Sequence, residues 1–328
     1  MTVTIANPIP STEHAAPPAI ETRGLTKRYK GVVALDALDL TVPATAVGLL
    51  GANGAGKSTL IKLLLGLIRP DAGDAVVLGK NTRTEAVAIR AVVGYMPEGD
   101  CLPADATAAD FVAHMAEVSG LPPRAARQRA ADVLYQVGLD EERYRPIKGF
   151  STGMKQRVKL AQAIVHDPHL VFLDEPTNGM DPQGRDEMLG LIVRIQRMLG
   201  IAVVLSSHIL DDIERVCSYV VILDGGRLVA SQTLAGLDPG GGDLYVRIDG
   251  DPAAFLARLH ALGVEAAPAG AERGRDEIVV RRNGHDPFDA VRDAAADLGV
   301  PLRQLRAQTR SLEDLYFGNV GAADVERR

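Results

Sequence analysis

Cysteine is scarce in this sequence. Only Cys101 and Cys217 occur in 328 residues, and they lie too far apart for the close spacing of a structural zinc site. We interpret them as reduced thiols of a cytosolic protein, in which a free cysteine acts mainly as a small hydrophobic side chain. The cysteines therefore do not indicate a metal site.

Long apolar runs and a basic excess are also missing. No apolar run approaches the ~20 residues that a membrane-spanning helix needs, and the first 20 residues lack the basic start and apolar centre of a signal peptide. The net charge of −6 argues against a protein dominated by nucleic-acid binding. We therefore expect a chain that is soluble by itself and enters any membrane process through a partner.

Short apolar segments alternate with helical patterns over residues 20–235, which predicts an α/β domain. "VGLL" and "LVFLD" are typical of buried strands, and "KSTLIKLLLGLI" predicts a helix over Lys57–Ile68. Over about residues 100–155 the pattern changes to two amphipathic helices with no strand between them, which predicts a helical subdomain. Residues 1–19, rich in proline and alanine, are predicted to be a disordered tail.

A glycine-rich linker is predicted at residues 236–243, and an internal repeat follows it. "YVRIDGDPAAFLARLHALGV" is echoed by "IVVRRNGHDPFDAVRDAAADLGV", each a strand, Asp-Pro and a helix. The predicted N-caps, first helical residues and C-terminal stops are Asp251 and Asp286, Pro252 and Pro287, and Gly263 and Gly299. Residues 244–328 are therefore predicted to be a small α+β ferredoxin-like domain for docking or dimerisation.

The stretch "GANGAGKST" has the spacing of a phosphate-binding loop, between a predicted strand and a predicted helix. Glycines let several N–H groups point inward at the positive end of the helix, which makes an anion site. Lys57 would reach the β- and γ-phosphates, and the Ser58 hydroxyl would ligate Mg²⁺. The alternative is an ordinary glycine-rich turn. The candidate nucleotide-binding residues are Gly51, Ala52, Asn53, Gly54, Ala55, Gly56, Lys57, Ser58 and Thr59.

Two adjacent acids, Asp174 and Glu175, follow the apolar segment "LVFL". A strand parallel to the phosphate-loop strand would bring them beside that loop, where ligands bind in open α/β sheets. Asp174 would then hold Mg²⁺, and Glu175 would orient and deprotonate the attacking water. His208 follows the next predicted strand, where it could hydrogen-bond a phosphate oxygen or the water. The alternatives are a solvated acidic turn and a structural histidine.

These motifs, in this order, resemble the ATP-binding subunits of ABC (ATP-binding cassette) transporters over about residues 20–233. "GANGAGKST" resembles the Walker A loop, "LVFLDE" the Walker B strand with its catalytic glutamate, and His208 the switch histidine. The resemblance implies that Tyr29 stacks on adenine and that Asp181 belongs to the D-loop. It also implies a P-loop NTPase fold that binds ATP and Mg²⁺.

The stretch "FSTGMKQR", residues 150–157, resembles the family's signature, which contacts the ATP bound by the other protomer. Ser151, the Gly153 N–H and a helix N-terminus would form a second anion site. Two protomers packed head to tail would then enclose two ATP molecules. The alternative is that Ser151 is a helix cap and nothing more.

Two departures from the family pattern affect the predicted roles. Thr152 and Met154 replace the usual glycine and glutamine, and Glu98 replaces the glutamine that senses Mg²⁺. Glu98 can still reach the metal, directly or through water. These departures, together with "LDEPTNGMDP" and "SLEDLYFGN", resemble the exporter branch for drugs, antibiotics and sodium, which has a separate membrane subunit.

The resemblance thus predicts an ATP-hydrolysing subunit of an exporter. Its expected partners are a polytopic membrane permease and a second protomer, in a homodimer; no nucleic acid is expected. It would lie in the cytoplasm, peripheral on the inner face of the membrane. The alternatives are a soluble ABC ATPase acting on ribosomes or DNA, and a nucleotide-binding scaffold that does not hydrolyse ATP.

Overall fold

The computed structural model describes residues 17–234, 243–269, 277–281 and 287–307. They fall into two compact units: the first runs to His208 and includes Leu223–Leu228, and the second comprises Ile209–Ile222 and the chain from Val229 onward. Of the predicted tail only residues 17–19 are described, and Ala19 is already buried. Apart from Asp243, the predicted linker lies outside the described residues, so the sequence-based domain boundaries stay predictions.

Strands and helices alternate through the described chain. The strands are β1 (Ile20–Tyr29), β2 (Val32–Val42), β3 (Ala46–Leu50), β4 (Ala72–Val77), β5 (Lys80–Asn81), β6 (Val93–Met96), β7 (Leu170–Asp174), β8 (Ala202–Ser207), β9 (Tyr219–Asp224), β10 (Arg227–Thr233), β11 (Leu244–Ile248), β12 (Ala266–Pro268), β13 (Glu277–Val280) and β14 (Leu302–Ala307). The helices are α1 (Lys57–Leu64), α2 (Ala86–Val92), α3 (Ala108–Val118), α4 (Pro123–Gln136), α5 (Thr152–Ile164), α6 (Pro182–Leu199), α7 (Leu210–Val216), α8 (Pro252–Ala261) and α9 (Phe288–Leu298).

A parallel sheet positions the candidate site. Strands β3, β8, β7 and β6 are neighbours in that order and run parallel. All residues of β3, β7 and β8 are buried, which explains their continuous apolar sequences. The phosphate-loop strand β3 and the acid-bearing strand β7 are parallel, as the sequence predicts, and β8 lies between them. The three strands therefore end at one edge of the sheet.

The helix after the phosphate loop is shorter than predicted. It ends at Leu64, whereas the sequence pattern extends to Ile68. Gly66 adopts a left-handed φ of 63°, which stops the helix because it turns the chain out of the helical path. The apolar pattern continues beyond the helix because Leu65 is also buried.

A second, antiparallel sheet precedes the helical part of the first unit. Its strand order is β2-β1-β4-β5. Leu25, Leu35 and Leu38 are fully buried in this part of the chain. The loop after β1 and the start of β2 bring Val32 and Ala34 to the rim of the nucleotide cleft described below.

Residues 108–164 form three α-helices with no strand between them. The sequence predicts such a helical segment over about residues 100–155. Helix α3 begins at Ala108 and is capped by Thr107, whose side chain accepts a hydrogen bond from the Asp110 N–H. Two short 3₁₀ turns follow α4, and α5 begins after Ser151. Helix α5 continues to Ile164, beyond the predicted limit of the helical segment near residue 155.

The C-terminal elements follow the order β-α-β-β-α-β. Their strands form an antiparallel sheet in the order β12-β13-β11-β14, an arrangement of the ferredoxin-like type. Phe255 of α8 and Val291 of α9 are fully buried in its core. Because residues 270–276, 282–286 and 308–328 lie outside the described part, the assignment of a complete accessory domain stays a prediction.

The caps of the two repeated helices differ. Asp251 caps α8 by accepting from the Ala253 N–H, and Pro252 is the first helical residue, as predicted. In α9 the prediction for Pro287 is wrong: the helix begins at Phe288, so Pro287 takes the cap position, and Asp286 lies outside the described residues. Both helices are followed by glycine with positive φ, Gly263 and Gly299.

Candidate active site

The phosphate loop joins β3 to α1 and bends too tightly for residues with a Cβ atom at two positions. A Cβ on Gly56, whose φ is 105°, would lie 2.5 Å from the Ala34 carbonyl oxygen. A Cβ on Gly51 would lie 2.5 Å from the Leu223 carbonyl oxygen. The glycine requirement is therefore steric, and it leaves the loop wrapped around the start of α1.

A cleft of about 300 Å³ opens beside this loop. The catalytic candidate Glu175 lines it together with most residues predicted from the sequence to hold nucleotide: Ala52, Asn53, Gly54, Gly56, Lys57, Ser58, Thr59 and Glu98. Gly51 and Ala55 belong to the same loop but do not line the cleft, and Ala55 is buried. The helix N-terminus and the loop give this cleft a positive potential suited to phosphate.

Lys57 is buried and reaches across the mouth of its own loop. Its Nζ donates to the Gly51 carbonyl oxygen at 2.6 Å and to that of Ala52 at 3.3 Å. The same ammonium lies 3.2 Å from Glu175 Oε1. The lysine is thus placed between the loop and the acid, in reach of an anion that enters the cleft.

Asp174 is buried at the end of β7, where hydroxyl groups hold one of its oxygens. Its Oδ1 accepts a hydrogen bond from Ser206 Oγ at 2.7 Å and one from Ser58 Oγ at 3.1 Å. Tyr95 on β6 lies near as well, and burial together with the Asp174 carboxylate raises the pKa of its hydroxyl. The carboxylate is therefore anchored on the same side as the phosphate loop.

Glu175 leaves the strand in a strained conformation. Its φ is 49°, in the left-handed region that a non-glycine residue rarely adopts. Its N–H donates to Ser206 Oγ at 3.0 Å and lies 3.3 Å from the Ser206 carbonyl oxygen, which holds the turn. In this conformation the side chain lies beside Lys57, with Oε1 3.2 Å from Nζ.

The two carboxylate oxygens of Glu175 have different surroundings. Oε2 lies 3.0 Å from His208 Nδ1, which is hydrogen-bonding distance for the tautomer that carries a proton on Nδ1. Oε1 is buried and accepts no hydrogen bond from the described part of the chain, although Lys57 lies within ion-pair distance. Oε1 thus faces the Lys57 ammonium, and it could accept a proton or a water once that lysine turns to a phosphate.

The donor set at the strand ends suits a hard cation such as Mg²⁺. Ser58 Oγ and Asp174 Oδ1 are neighbours 3.1 Å apart, and Glu98 adds a carboxylate to the same cleft. Mg²⁺ prefers oxygen ligands and usually takes one or two carboxylates together with waters and substrate phosphates. No group of three or more His, Cys, Asp or Glu residues suited to hold a metal occurs among the described residues.

Glu98, in the loop after β6, is fixed by contacts that the sequence did not reveal. Its Oε1 accepts from Asn178 Nδ2 at 3.0 Å, and its main-chain oxygen accepts from Lys159 Nζ at 2.8 Å. Asn178 and Lys159 were not predicted as site residues. Asn178 lies within "LDEPTNGMDP", and Lys159 lies two residues after "FSTGMKQR". Nothing in the sequence around either residue indicates this long-range contact.

Tyr29 stands at the end of β1, apart from the residues that line the cleft. Its side chain is 48% exposed, and the Lys27 ammonium lies 5.5 Å from the centre of its ring. The neighbouring cleft residues on this side are Val32 and Ala34. The stacking role of Tyr29 therefore stays a prediction.

A second cavity, of about 550 Å³, contains Ser151, Gly153 and Asp181 and shares no residue with the phosphate cleft. Ser151 Oγ accepts from the Met154 N–H and caps α5, so the cap offered as an alternative interpretation is present. Asp181 caps α6 in the same way through the Gly184 N–H. The N-termini of two helices thus meet in this cavity, an arrangement that favours anions.

Ser206 is the clearest residue that the sequence interpretation missed. Fully buried, it bridges Asp174 and the Glu175 N–H by its single hydroxyl. One signal could have found it: it lies two residues before His208, at the carboxyl end of a buried strand. Polar residues in that position meet at the functional edge of a parallel sheet.

A glycine loop between a strand and a helix, facing a strand that ends in two acids, defines a P-loop α/β protein of the nucleotide-hydrolysing type. Residues 35–178 match the family described as ABC transporter. The chain is 34% identical over 307 residues to the daunorubicin/doxorubicin resistance ATP-binding protein DrrA of Streptomyces peucetius, covering 92% of both chains. It belongs to the ABC transporter family, as an ATP-binding subunit that binds and hydrolyses ATP.

Further relatives agree with this assignment. The bacitracin transport ATP-binding protein BcrA of Bacillus licheniformis is 38% identical over 211 residues, or 64% of this chain and 68% of the relative. The structure of CbiO1 from Clostridium perfringens, part of the ABC transporter complex CbiONQ, superposes with a TM-score of 0.60 and 27% identity. That superposition covers 66% of this chain and 89% of CbiO1.

Proposed function

We propose that this chain powers an exporter: two copies enclose Mg·ATP, hydrolyse it and drive a separate membrane permease. The observation that carries the hydrolytic part is the Glu175 carboxylate. It is buried beside the phosphate loop, with Oε2 on His208 and Oε1 accepting no hydrogen bond from the described residues. Lys57 Nζ lies 3.2 Å from Oε1, so this oxygen becomes free for a water molecule when Lys57 turns to a phosphate.

The chemistry follows from the side chains around the cleft. The loop N–H groups and Lys57 bind the β- and γ-phosphates, with Lys57 exchanging its contacts to Gly51 and Glu175 for phosphate oxygens. Ser58, Asp174 and Glu98 are the residues that would hold Mg²⁺, which neutralises charge on the phosphates when bound. Glu175 orients the attacking water and accepts its proton, while His208 keeps the carboxylate aimed at that water.

The second cavity supports enclosure of ATP by two copies. Ser151 and Asp181 cap the two helices whose N-termini lie in this cavity, and neither residue lines the chain's own phosphate cleft. A sister chain in a head-to-tail arrangement would present this cavity to the γ-phosphate. One chain carries both halves of the site, which supports a homodimer.

The relatives support the transport role. Their names attach them to daunorubicin and doxorubicin resistance and to bacitracin transport. None of the helices among the described residues is long and apolar enough to cross a membrane. We therefore place the path for cargo in a polytopic permease, with this chain on the cytoplasmic face of the membrane.

The enzymatic proposal is tested by the Glu175→Gln variant, which keeps the size of the side chain but removes its basic oxygen. General-base catalysis contributes about 10²- to 10⁴-fold, so we expect kcat to fall by at least about 100-fold. Glu117→Gln, on an exposed face of α3, is the matched control and should retain the wild-type rate. Equal turnover by Glu175→Gln and wild type would contradict the assigned role.

The same variant tests the pairing of two copies. With hydrolysis blocked, Mg·ATP should hold two chains together, so gel filtration of Glu175→Gln should show an ATP-dependent dimer. Ser151→Tyr should abolish that dimer, because a large side chain would fill the cavity that receives the partner's ATP. A dimer that forms equally well with Ser151→Tyr would refute the head-to-tail arrangement.

The permease proposal is tested by purifying the tagged chain from its own cells in mild detergent. A polytopic membrane protein should accompany it in a fixed ratio, and its ATPase rate should rise with that protein in lipid vesicles. Recovery of ribosomes in place of a membrane protein would overturn the transport assignment for this chain.

A further inference from the structure

A buried lysine stands behind the candidate metal site. Lys159, in the middle of α5, is only 4% exposed, yet its ammonium points at main-chain oxygens: Nζ donates to the Pro97 and Glu98 carbonyls at 2.9 and 2.8 Å. Burial lowers the pKa of Lys159, against the opposing effect of nearby acidic groups. Removing an ammonium from water is costly, and the hydrogen bonds to these two carbonyl oxygens offset part of that cost. The same two hydrogen bonds hold the loop after β6 against α5.

A second set of contacts holds the side chain of Glu98. Asn178 Nδ2 donates to Glu98 Oε1 at 3.0 Å. The Asn178 carbonyl oxygen in turn lies 3.3 Å from Gln156 Nε2, and Gln156 is buried on α5 three residues before Lys159. Helix α5 therefore holds the backbone of Glu98 directly and its carboxylate through Asn178.

We propose that Lys159 and Asn178 are positioning residues that set Glu98 at the phosphate cleft and tie it to α5. The inference rests on the proposed function, since it takes Glu98 to meet Mg·ATP in the cleft. Helix α5 begins at Thr152, directly after its cap Ser151, and Lys159 lies eight residues beyond that cap, about 12 Å along the helix axis. One helix therefore carries Lys159, which holds the Glu98 loop, and has at its N-terminus Ser151 of the second cavity.

The loop can be observed without any ATPase assay, because the chain contains no tryptophan. Gly99 follows Glu98, and a Cβ there meets nothing within 4 Å, so Gly99→Trp provides a single fluorescent reporter. In time-resolved anisotropy we expect the nanosecond local-motion amplitude of this tryptophan to rise about twofold with Lys159→Met. Lys159→Arg, which still donates to carbonyls, should restore most of the wild-type anisotropy.

Lys62→Met is the matched control, since it removes an exposed lysine from α1. It should leave the reporter unchanged. Equal anisotropy in Lys159→Met, Lys62→Met and the parent reporter would overturn the positioning role of Lys159.

The contact to the carboxylate is tested by a double-mutant cycle that does not depend on the buried lysine. Asn178 is exposed, so Asn178→Ala should fold normally. We expect it to lower kcat/KM for Mg·ATP about tenfold when Glu98 is present, and less than twofold in chains that carry Glu98→Ala. The same loss in both backgrounds would overturn the claim that Asn178 acts through Glu98.

The outcomes separate this inference from the proposed function. If wild type hydrolyses ATP in a Glu175-dependent way but the loop reporter ignores Lys159, only the positioning role falls. If the reporter responds but no Glu175-dependent hydrolysis occurs, the proposed function falls while the mechanical link between α5 and the Glu98 loop stands.

Discussion

Ser206→Ala is the most informative single change, because one hydroxyl serves both acids of the site. Ser206 Oγ donates to Asp174 Oδ1 at 2.7 Å and accepts from the Glu175 N–H at 3.0 Å. The substitution removes one oxygen atom from a fully buried position and creates no steric clash. Its effects therefore report these two hydrogen bonds.

The magnitude follows from what each partner loses. A hydrogen bond to a charged group contributes about 1.5–3 kcal/mol, and Asp174 Oδ1 keeps the longer contact to Ser58 Oγ at 3.1 Å. The Glu175 N–H loses less, because the Ser206 carbonyl oxygen remains 3.3 Å away. We expect a loss of about 2 kcal/mol, which lowers Tm by about 4–8 °C for a unit of this size.

Differential scanning calorimetry of the chain, without nucleotide, measures this change. Ser119→Ala is the control: its hydroxyl donates to the Met115 carbonyl oxygen on an exposed helix end, so Tm should change by less than about 1 °C. The kcat of Ser206→Ala should also fall about tenfold, since both acids lose a fixed orientation. A Ser206→Ala protein with the Tm and kcat of wild type would refute the reasoning.

Three further predictions concern packing, thiols and pH. Gly94→Ala should destabilise the chain by at least about 2 kcal/mol in calorimetry, because the added Cβ would lie 2.0 Å from the Ala163 carbonyl oxygen. An unchanged Tm would contradict this close approach of β6 and α5. Titration with a thiol reagent at pH 8 should modify Cys101, which is exposed, but not Cys217, which is buried, although burial raises the pKa of both thiols. Two fast thiols would be the contrary result. Because burial lowers the pKa of Lys159 in the folded chain, the unfolded chain binds more protons just below the normal lysine pKa, so stability rises with pH there. The Tm of wild type relative to Lys159→Met should accordingly increase between pH 8 and 10; a constant difference would show that the lysine is not desolvated.

The phosphate loop could be placed from sequence because its chemistry is local. The requirement for glycine at Gly51 and Gly56 comes from main-chain atoms that approach within 2.5 Å, and the lysine and serine follow at fixed positions on the first turn of α1. Asp174, Glu175 and His208 could be placed at the same edge because parallel strands end together. These inferences need only the strand and helix pattern.

The contacts of Glu98 could not be predicted in the same way. Asn178 lies 80 residues from Glu98 in sequence and Lys159 lies 61 residues away, so neither period nor spacing connects them. A buried lysine in a helix pattern also looks like an ordinary surface lysine, because its sequence neighbours do not show which carbonyl groups it meets. Likewise the early end of α1 and the shifted start of α9 depend on local backbone conformation at Gly66 and Pro287.

The amino-acid order alone thus determined the class of site: an anion cradle, two strand-end acids and an imidazole, each written in a short motif whose chemistry depends on adjacent residues. Only the tertiary structure decided how these groups bear on one another. It gave Glu175 a strained φ, joined it to Lys57 and His208, and let Ser206 hold both acids. Those relations join residues far apart in the chain, and they exist because packing of β3, β8 and β7 brings the strand ends within hydrogen-bonding distance.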